Sequence, residues 1–363
     1  MTAVSGVHLE RAPAVLRARA LADELLRPAA EQVDTSVVPR AHVTAWGDAG
    51  LLGLSGPRAY GGGGAPAEVQ REVTEVLAGA CGATWFVITQ HASPLGALVQ
   101  TDNETLRERL LPALCDGSML AGIAVAHLRR PDPPPVTATR TADGWRFDGR
   151  VGWMTSWGLC EVFLLWGVTA QGDAVAAFVP AHESPGLTAS APMALAAMQA
   201  TRTVTLELSG LQVDDADVAR VVPLEQWRAA DRLKTANASA HTFGLQRECV
   251  RRLQEVAARR DDGTAAALAH QLGREGERLR RVAYTLLDAM PEAEHLDDRL
   301  AVRASALELT VRTATALVAA AGGGGMASAA APQRLAREAL FGLVQAQTPA
   351  GRESTLQLLR EAS

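Results

Sequence analysis

Of the 35 lysine and arginine residues in this 363-residue chain, a single one is lysine, Lys234. The distinction is chemical. A guanidinium keeps its proton near neutral pH, whereas an amine taken out of water can release one. A lone lysine in an arginine-using chain is thus a candidate for proton transfer or for an amine-specific contact. The blander readings are a cationic anchor or a surface residue that drifted there. Three histidines stand near other polar groups: His91 after Gln90 with Trp85 a turn earlier, His127 before Arg129, and His241. An isolated histidine is more often a hydrogen-bonded interior or surface residue than a catalyst. Cys81, Cys115, Cys160 and Cys249 form no CxxC pair and no metal-ligand spacing with histidine, and read as reduced, buried residues.

These groups need a scaffold, and the apolar spacing describes one in three parts. Leu16, Ala20, Leu21, Leu25 and Leu26 recur at helical spacing. Further helical patterning covers Arg40 to Leu52, Ala67 to Ala80, Thr84 to Val99 and Asn103 to Leu114, with a glycine loop at Tyr60 to Gly64. The segment Pro131 to Pro135 forbids regular helix. Short β-like runs then follow at Val136–Arg140, Trp145–Asp148, Val162–Val168, Ala174–Val179 and Thr203–Leu208, separated by turn residues. Such punctuation predicts a compact β barrel or sandwich. Long Ala/Leu/Arg segments resume at Leu233–Ala258, Ala265–Met290 and Leu296–Ala321, and a shorter one at Gln333–Gln345, which predicts a helical bundle.

Composition narrows the function classes. Hydrophobic residues make up 48% and charged residues 21%, a globular balance, and the net charge of -5 leaves no basic footprint for nucleic acid or an anionic membrane. No apolar run is long enough to span a bilayer, and Met1 to Arg11 lacks a signal-peptide pattern, so a cytoplasmic protein is expected.

Several segments, in order, resemble the acyl-CoA dehydrogenase superfamily. Leu26-Arg27-Pro28-Ala29-Ala30, Gly50-Leu51-Leu52-Gly53-Leu54, and Pro57 with Tyr60-Gly61-Gly62 resemble its N-terminal helical domain. Gly144 to Ser156 resembles G-x-x-x-x-G-x-K-x-W-I-T-N, with Val151 where that pattern has lysine. Gly322 to Gly325 and Arg334 to Ala339 resemble G-G-x-G and R-L-x-R-D-A. The resemblance implies an α plus β multidomain subunit. It would have an N-terminal helical domain (1–122), a middle β barrel domain (123–225) and a C-terminal four-helix bundle domain (226–363). A flavin, FAD or else FMN, would sit between the last two. By the resemblance, Trp153, Thr155, Ser156 and Thr348 are cofactor-binding, although Trp153 alone reads as a core aromatic of a strand. Trp85, Gln90, His127 and Arg129 fall at the substrate end.

The departures are as informative. The family's T-E-P-x-A-G-S-D becomes Val125-Ala126-His127-Leu128-Arg129-Arg130-Pro131. Its R-x-x-F-G diphosphate segment is replaced by Arg259-Arg260-Asp261-Asp262-Gly263, which reads either as a phosphate contact or as a solvated helix end. Family dehydrogenation needs a carboxylate facing the flavin across the substrate. At one usual place stands Ala346, in Gln345-Ala346-Gln347-Thr348; at the other stands Lys234. Lys234 and, more weakly, His91 are the catalytic candidates, with His241 behind them. The expected activity is oxidation of an acyl thioester, on CoA or an acyl carrier protein, similar to relatives in actinobacterial polyketide or peptide pathways. A flavin monooxygenase of the same fold, and a non-catalytic or non-redox relative, are the alternatives. The family implies a homodimer or homotetramer, and the apolar face from Ala301 to Ala321 points the same way. No nucleic-acid or membrane partner is expected.

Overall fold

The computed structural model describes residues 9–130 and 133–361. The expectations placed on residues 1–8, and on Pro131 and Asp132, lie outside the described residues.

The N-terminal third is helical. Helix α1 (Pro13–Leu21) runs through one π turn (Ala22–Leu26) into α2 (Arg27–Asp34), followed by α3 (Arg40–Asp48), α4 (Ala67–Ala80), α5 (Gly82–Thr89), α6 (Ala92–Gln100) and α7 (Glu104–Asp116). Helix α7 starts where the Asn103 side chain accepts from the Leu106 amide at 3.0 Å, and stops at Gly117, whose φ of +84° suits glycine.

Eight strands follow: β1 (Ala121–Ala124), β2 (Val136–Arg140), β3 (Gly144–Met154), β4 (Val162–Val168), β5 (Asp173–Pro180), β6 (Leu187–Ala189), β7 (Val204–Asp214) and β8 (Val218–Pro223). They form one sheet in the order β6-β7-β3-β2-β4-β5-β8, with β1 parallel to β4. The expected barrel is corrected here, because the sheet is open, with β6 and β8 at its edges. The exposed edge carbonyls are met from the helical layer. Thr101 Oγ1 donates to the Ala219 carbonyl at 2.6 Å and Asn103 Nδ2 to the Val218 carbonyl at 3.1 Å. An edge satisfied in this way does not need closure. Strand β4 is apolar on both faces because alternate residues serve two cores. Leu164, Trp166 and Val168 pack with Leu95, Leu106 and Leu110 of the helical layer, while Phe163 and Leu165 pack inside the sheet.

The C-terminal part comprises α8 (Leu224–Ala236), α9 (Ala240–Arg260), α10 (Gly263–Ala289), α11 (Leu296–Ala321), α12 (Ala331–Gly342) and α13 (Pro349–Glu361). The single helix expected over Leu233–Ala258 is broken at 237–239, where Asn237 Nδ2 turns back to the Leu233 carbonyl at 3.0 Å. That break sets Lys234 at the end of one helix and His241 at the start of the next. Ala304, Leu307, Leu309 and Leu317 of α11 are buried in the bundle, while Val302, Val311, Ala316 and Val318 stay half-buried and Ala301 and Ala319 exposed. Exposed large apolar groups lie later instead, at Met326, Leu340, Val344 and Leu356.

The helical parts meet closely. A Cβ on Gly244 of α9 would lie 2.2 Å from the Glu75 carbonyl oxygen of α4, so only glycine permits this crossing. Around it, buried Glu75 accepts from Arg280 Nε at 2.7 Å and from Tyr284 Oη at 2.5 Å, and pairs with Arg247 at 2.9 Å. Arg334 of α12 pairs with Glu338 at 2.9 Å, both fully buried. Among the described residues no helix is long and apolar enough to cross a membrane, and no His/Cys/Asp/Glu group is arranged to hold a metal.

Candidate functional site

The end of β3, helix α5, the α8–α9 junction and the segment after α12 converge on a cavity of about 1040 Å³. The β3 wall contributes Trp153, whose indole is 49% exposed, and Thr155, which is buried. Thr155 Oγ1 lies 3.1 Å from Thr203 Oγ1, which lies 3.0 Å from Thr201 Oγ1; Thr201 donates to the Met198 carbonyl at 2.8 Å. A carbonyl only accepts, and each hydroxyl has one proton, so the chain has one direction. Thr201 donates to Met198, Thr203 to Thr201 and Thr155 to Thr203. Thr155 therefore offers the cavity an oxygen lone pair.

Another part of the lining carries charge. Lys234 lines the cavity from the last turn of α8. It is solvent-exposed, and its amine has no side-chain partner among the described residues. One turn earlier on the same helix, Asp231 holds Arg129 in a fork, with Nε–Oδ2 and Nη2–Oδ1 both at 2.7 Å. Arg129 thus lines the cavity while fastening α8 to the strand layer. Behind Lys234 lies Arg303 of α11, which is 9% exposed. It donates to the carbonyls of Thr235 at 2.6 Å, Gln345 at 3.0 Å and Ala346 at 3.4 Å. Burial and the Arg129 charge push its pKa down. No aspartate or glutamate lines the cavity among the described residues.

Trp85 and Gln90 also line the cavity, Gln90 with its amide turned to the Phe86 carbonyl at 2.9 Å. Trp85 stacks on the His241 ring at 4.3 Å between centroids. His241 Nδ1 meets Ser239 Oγ at 2.6 Å, and its buried Nε2 has no partner. Burial, and then Arg303, push His241 down to about 3, so its imidazole is neutral at pH 7.

Other expected residues are placed elsewhere. His91 is fully buried and does not line the cavity. Its Nδ1 accepts from the Ala121 amide at 3.0 Å, so Nε2 carries the proton that meets the Leu114 carbonyl at 3.0 Å. With burial pushing it down to about 4, it is a neutral clasp between helix and strand. His127 likewise turns away, with Nε2 2.7 Å from the Trp166 carbonyl and burial pushing it down to about 4. Ser156 is fully buried and donates to the Thr155 carbonyl at 2.5 Å. Thr348 Oγ1 accepts from the Gly351 amide at 3.2 Å and caps α13, while its neighbours Gln345, Ala346 and Gln347 line the cavity. The 259–263 segment is a turn between helices. Asp262 caps α10 through the Ala265 amide at 2.9 Å, and Arg260 Nη2 donates to the Ala321 carbonyl at 2.6 Å.

Sequence reasoning missed Arg303. Its signal was there: it shares one buried helical stripe with Leu307, Thr310, Ala314 and Leu317. A charge on such a stripe calls for a partner or a ligand.

Residues 14–118 match the family model described as "Acyl-CoA dehydrogenase, N-terminal domain". The fold and the N-terminal domain are those of the acyl-CoA dehydrogenase family. A probable acyl-CoA dehydrogenase, YngJ, of Bacillus subtilis is 24% identical over 203 residues, 53% of each chain. The chain spans about half the length of the curated relatives it matches. A glutaryl-CoA dehydrogenase from Mycobacterium smegmatis in complex with FADH2 superposes with a TM-score of 0.80 at 18% identity, covering 98% of this chain and 96% of that one. FkbI, described as serving biosynthesis of the methoxymalonyl extender unit of the polyketide Fk520, superposes with a TM-score of 0.78 at 18% identity, covering 94% and 99%.

Proposed function

We propose that this chain is a flavin-dependent oxidoreductase of acyl thioesters, carried on CoA or an acyl carrier protein, whose cavity works with cations where relatives use a carboxylate. One observation carries the reading. Trp153, Thr155 and Lys234 line a single cavity whose lining, among the described residues, holds no acid.

The ring end of a flavin fits this cavity. The half-exposed Trp153 indole is a flat apolar wall, and the threonine chain ends in an acceptor oxygen on Thr155. The 259–263 turn does not line this cavity within one subunit. When bound, a flavin supplies a two-electron acceptor for a hydride from the acyl chain. The chain's own residues do the rest. Trp85, Phe86 and Phe341 exclude water, and the Arg129–Asp231 fork holds α8 in place. Arginines do not release protons, and neutral His241 does not hold an added one at pH 7. Lys234 Nζ, exposed in the ligand-free cavity, is then the group left to exchange a proton with the substrate once a bound acyl chain takes the amine out of water.

The missing carboxylate also favours a second reading, oxygenation, which needs no base at the α-carbon. The FkbI likeness makes a role in polyketide assembly part of the proposal. Exposed Leu340, Val344 and Leu356 support self-association as a dimer or tetramer. The placement is tested by Trp153→Ala with Thr155→Val in protein purified with FAD. Sharply lower flavin occupancy in a folded variant supports it, and unchanged occupancy and redox potential refute it. Bleaching of the flavin by acyl thioesters without oxygen selects dehydrogenation; product formed only with reductant and oxygen selects oxygenation.

A further inference from the structure

Five cationic residues line the cavity: Arg129, Arg130, Lys234, Arg303 and Arg337. Two of them have carboxylate partners, Arg129 with Asp231 and Arg337 with Asp34 at 2.5 Å. Arg130, Lys234 and Arg303 have none among the described residues. For Arg303 this is unusual. Carbonyls satisfy its N–H groups, and the nearby Asp231 charge offsets only part of its own, since burial and Arg129 outweigh it and leave the pKa below the ordinary value; an incompletely balanced buried guanidinium is unfavourable. Two arginines of the helical layers are matched by acids, and one other is not. Arg334 is matched by Glu338 and Arg280 by Glu75. Arg299, also buried, plugs the end of α10, where Nη2 meets the Leu286, Met290 and Pro291 carbonyls, and it does not face the cavity. Arg303 is the cavity-facing case, one helix turn from apolar Leu307 and beside exposed Lys234. Apolar walls that end in an incompletely balanced guanidinium suit an acyl chain with a charged end. A guanidinium fork matches a carboxylate in shape as well as charge.

We infer that the acyl group accepted here bears its own carboxylate, seated on Arg303. The substrate class is then a dicarboxylic acyl thioester rather than a plain fatty acyl one. The inference rests on the proposed reading of the cavity as a thioester site. The same anionic oxygens could come from a cofactor or carrier phosphate, and the experiment separates these sources.

Flavin-loaded protein is titrated calorimetrically with succinyl-CoA and butyryl-CoA, which share every phosphate and differ at the acyl end. Wild type should prefer succinyl-CoA by about tenfold or more, the scale of one well-made charge-assisted contact. Arg303→Met should remove that preference and Arg303→Lys should keep part of it. Because Arg303 braces three carbonyls, Arg303→Lys, which keeps a charge and a donor at that place, is the second variant, and both variants should stay folded and flavin-loaded while the preference falls. Equal binding of the two thioesters by wild type overturns the inference and leaves the thioester reading standing. Binding of neither sinks that reading and the inference with it. Loss of flavin from Arg303→Met, with the preference intact in what remains loaded, assigns Arg303 to the cofactor and also overturns the inference.

Discussion

Two sets of buried arginines in this fold are treated differently. Between the N-terminal helices and the bundle, each is answered by an acid: Arg334 by Glu338, Arg280 by Glu75 and Glu72. In the cavity wall, Arg303 is answered by three neutral carbonyls, and the adjacent Lys234 by nothing within the described chain. The first set holds helical layers together, and its balance is complete without a ligand. The second is incomplete without one. The same side chain therefore acts as a brace in one place and as part of a binding surface in the other, and the counter-charge distinguishes them.

The sharpest way to break the comparison is to remove an acid from the brace. Glu338→Gln leaves Arg334 buried and uncompensated and should cost about 3–5 kcal/mol of unfolding free energy, read from denaturant midpoints. A loss under ~1 kcal/mol would show that the pair is not a brace. A second expectation concerns the buried neutral histidines. His91 is held down to about 4 by burial, while the unfolded chain binds its proton below about 6.5. Between those values the unfolded state carries the extra proton, so stability falls as pH falls, and His91 should account for on the order of 2–3 kcal/mol between pH 7 and pH 4. His91→Gln should flatten that slope by about one proton. An unchanged slope would mean that His91 is charged or exposed.

In the cavity wall the effects should be smaller. Arg303→Met in the ligand-free protein removes both a charge that Asp231 only partly balances and the donors of three carbonyls, and should change stability by roughly 1–2 kcal/mol. A loss as large as that of Glu338→Gln would place Arg303 with the braces. Lys234→Met, at an exposed helix end, should stay within about 0.5 kcal/mol.

Much of the architecture was legible in the sequence, because apolar spacing reports directly on which face of an element is buried. The three-part order and the pairing of a β3 wall with an α8 residue followed from motif positions. The open sheet did not, because edge satisfaction depends on Thr101 and Asn103, which are far from β8 in sequence. Trp153, Thr155, Trp85, Gln90, Arg129 and Lys234 line one cavity, whereas His91, His127, Ser156 and Thr348 point into local hydrogen bonds. Residue type and spacing place a backbone position near a site. They do not say which way a side chain turns when a carbonyl or an amide competes for it. Arg303 was missed for the opposite reason: its helix reads as plain bundle, and only the fold shows that its stripe opens on the cavity.

The central claim is that this cavity performs thioester redox chemistry with Lys234 in the lining it shares with Trp153. It is tested most directly by titrating flavin-loaded wild type and Lys234→Arg anaerobically with acyl-CoA thioesters while following the visible flavin band. The account predicts bleaching in wild type, and thioester binding without bleaching in the arginine variant, which keeps the charge but not the exchangeable proton. Equal bleaching in both would remove Lys234 from the chemistry, and failure of the wild type to retain flavin at all would contradict the account.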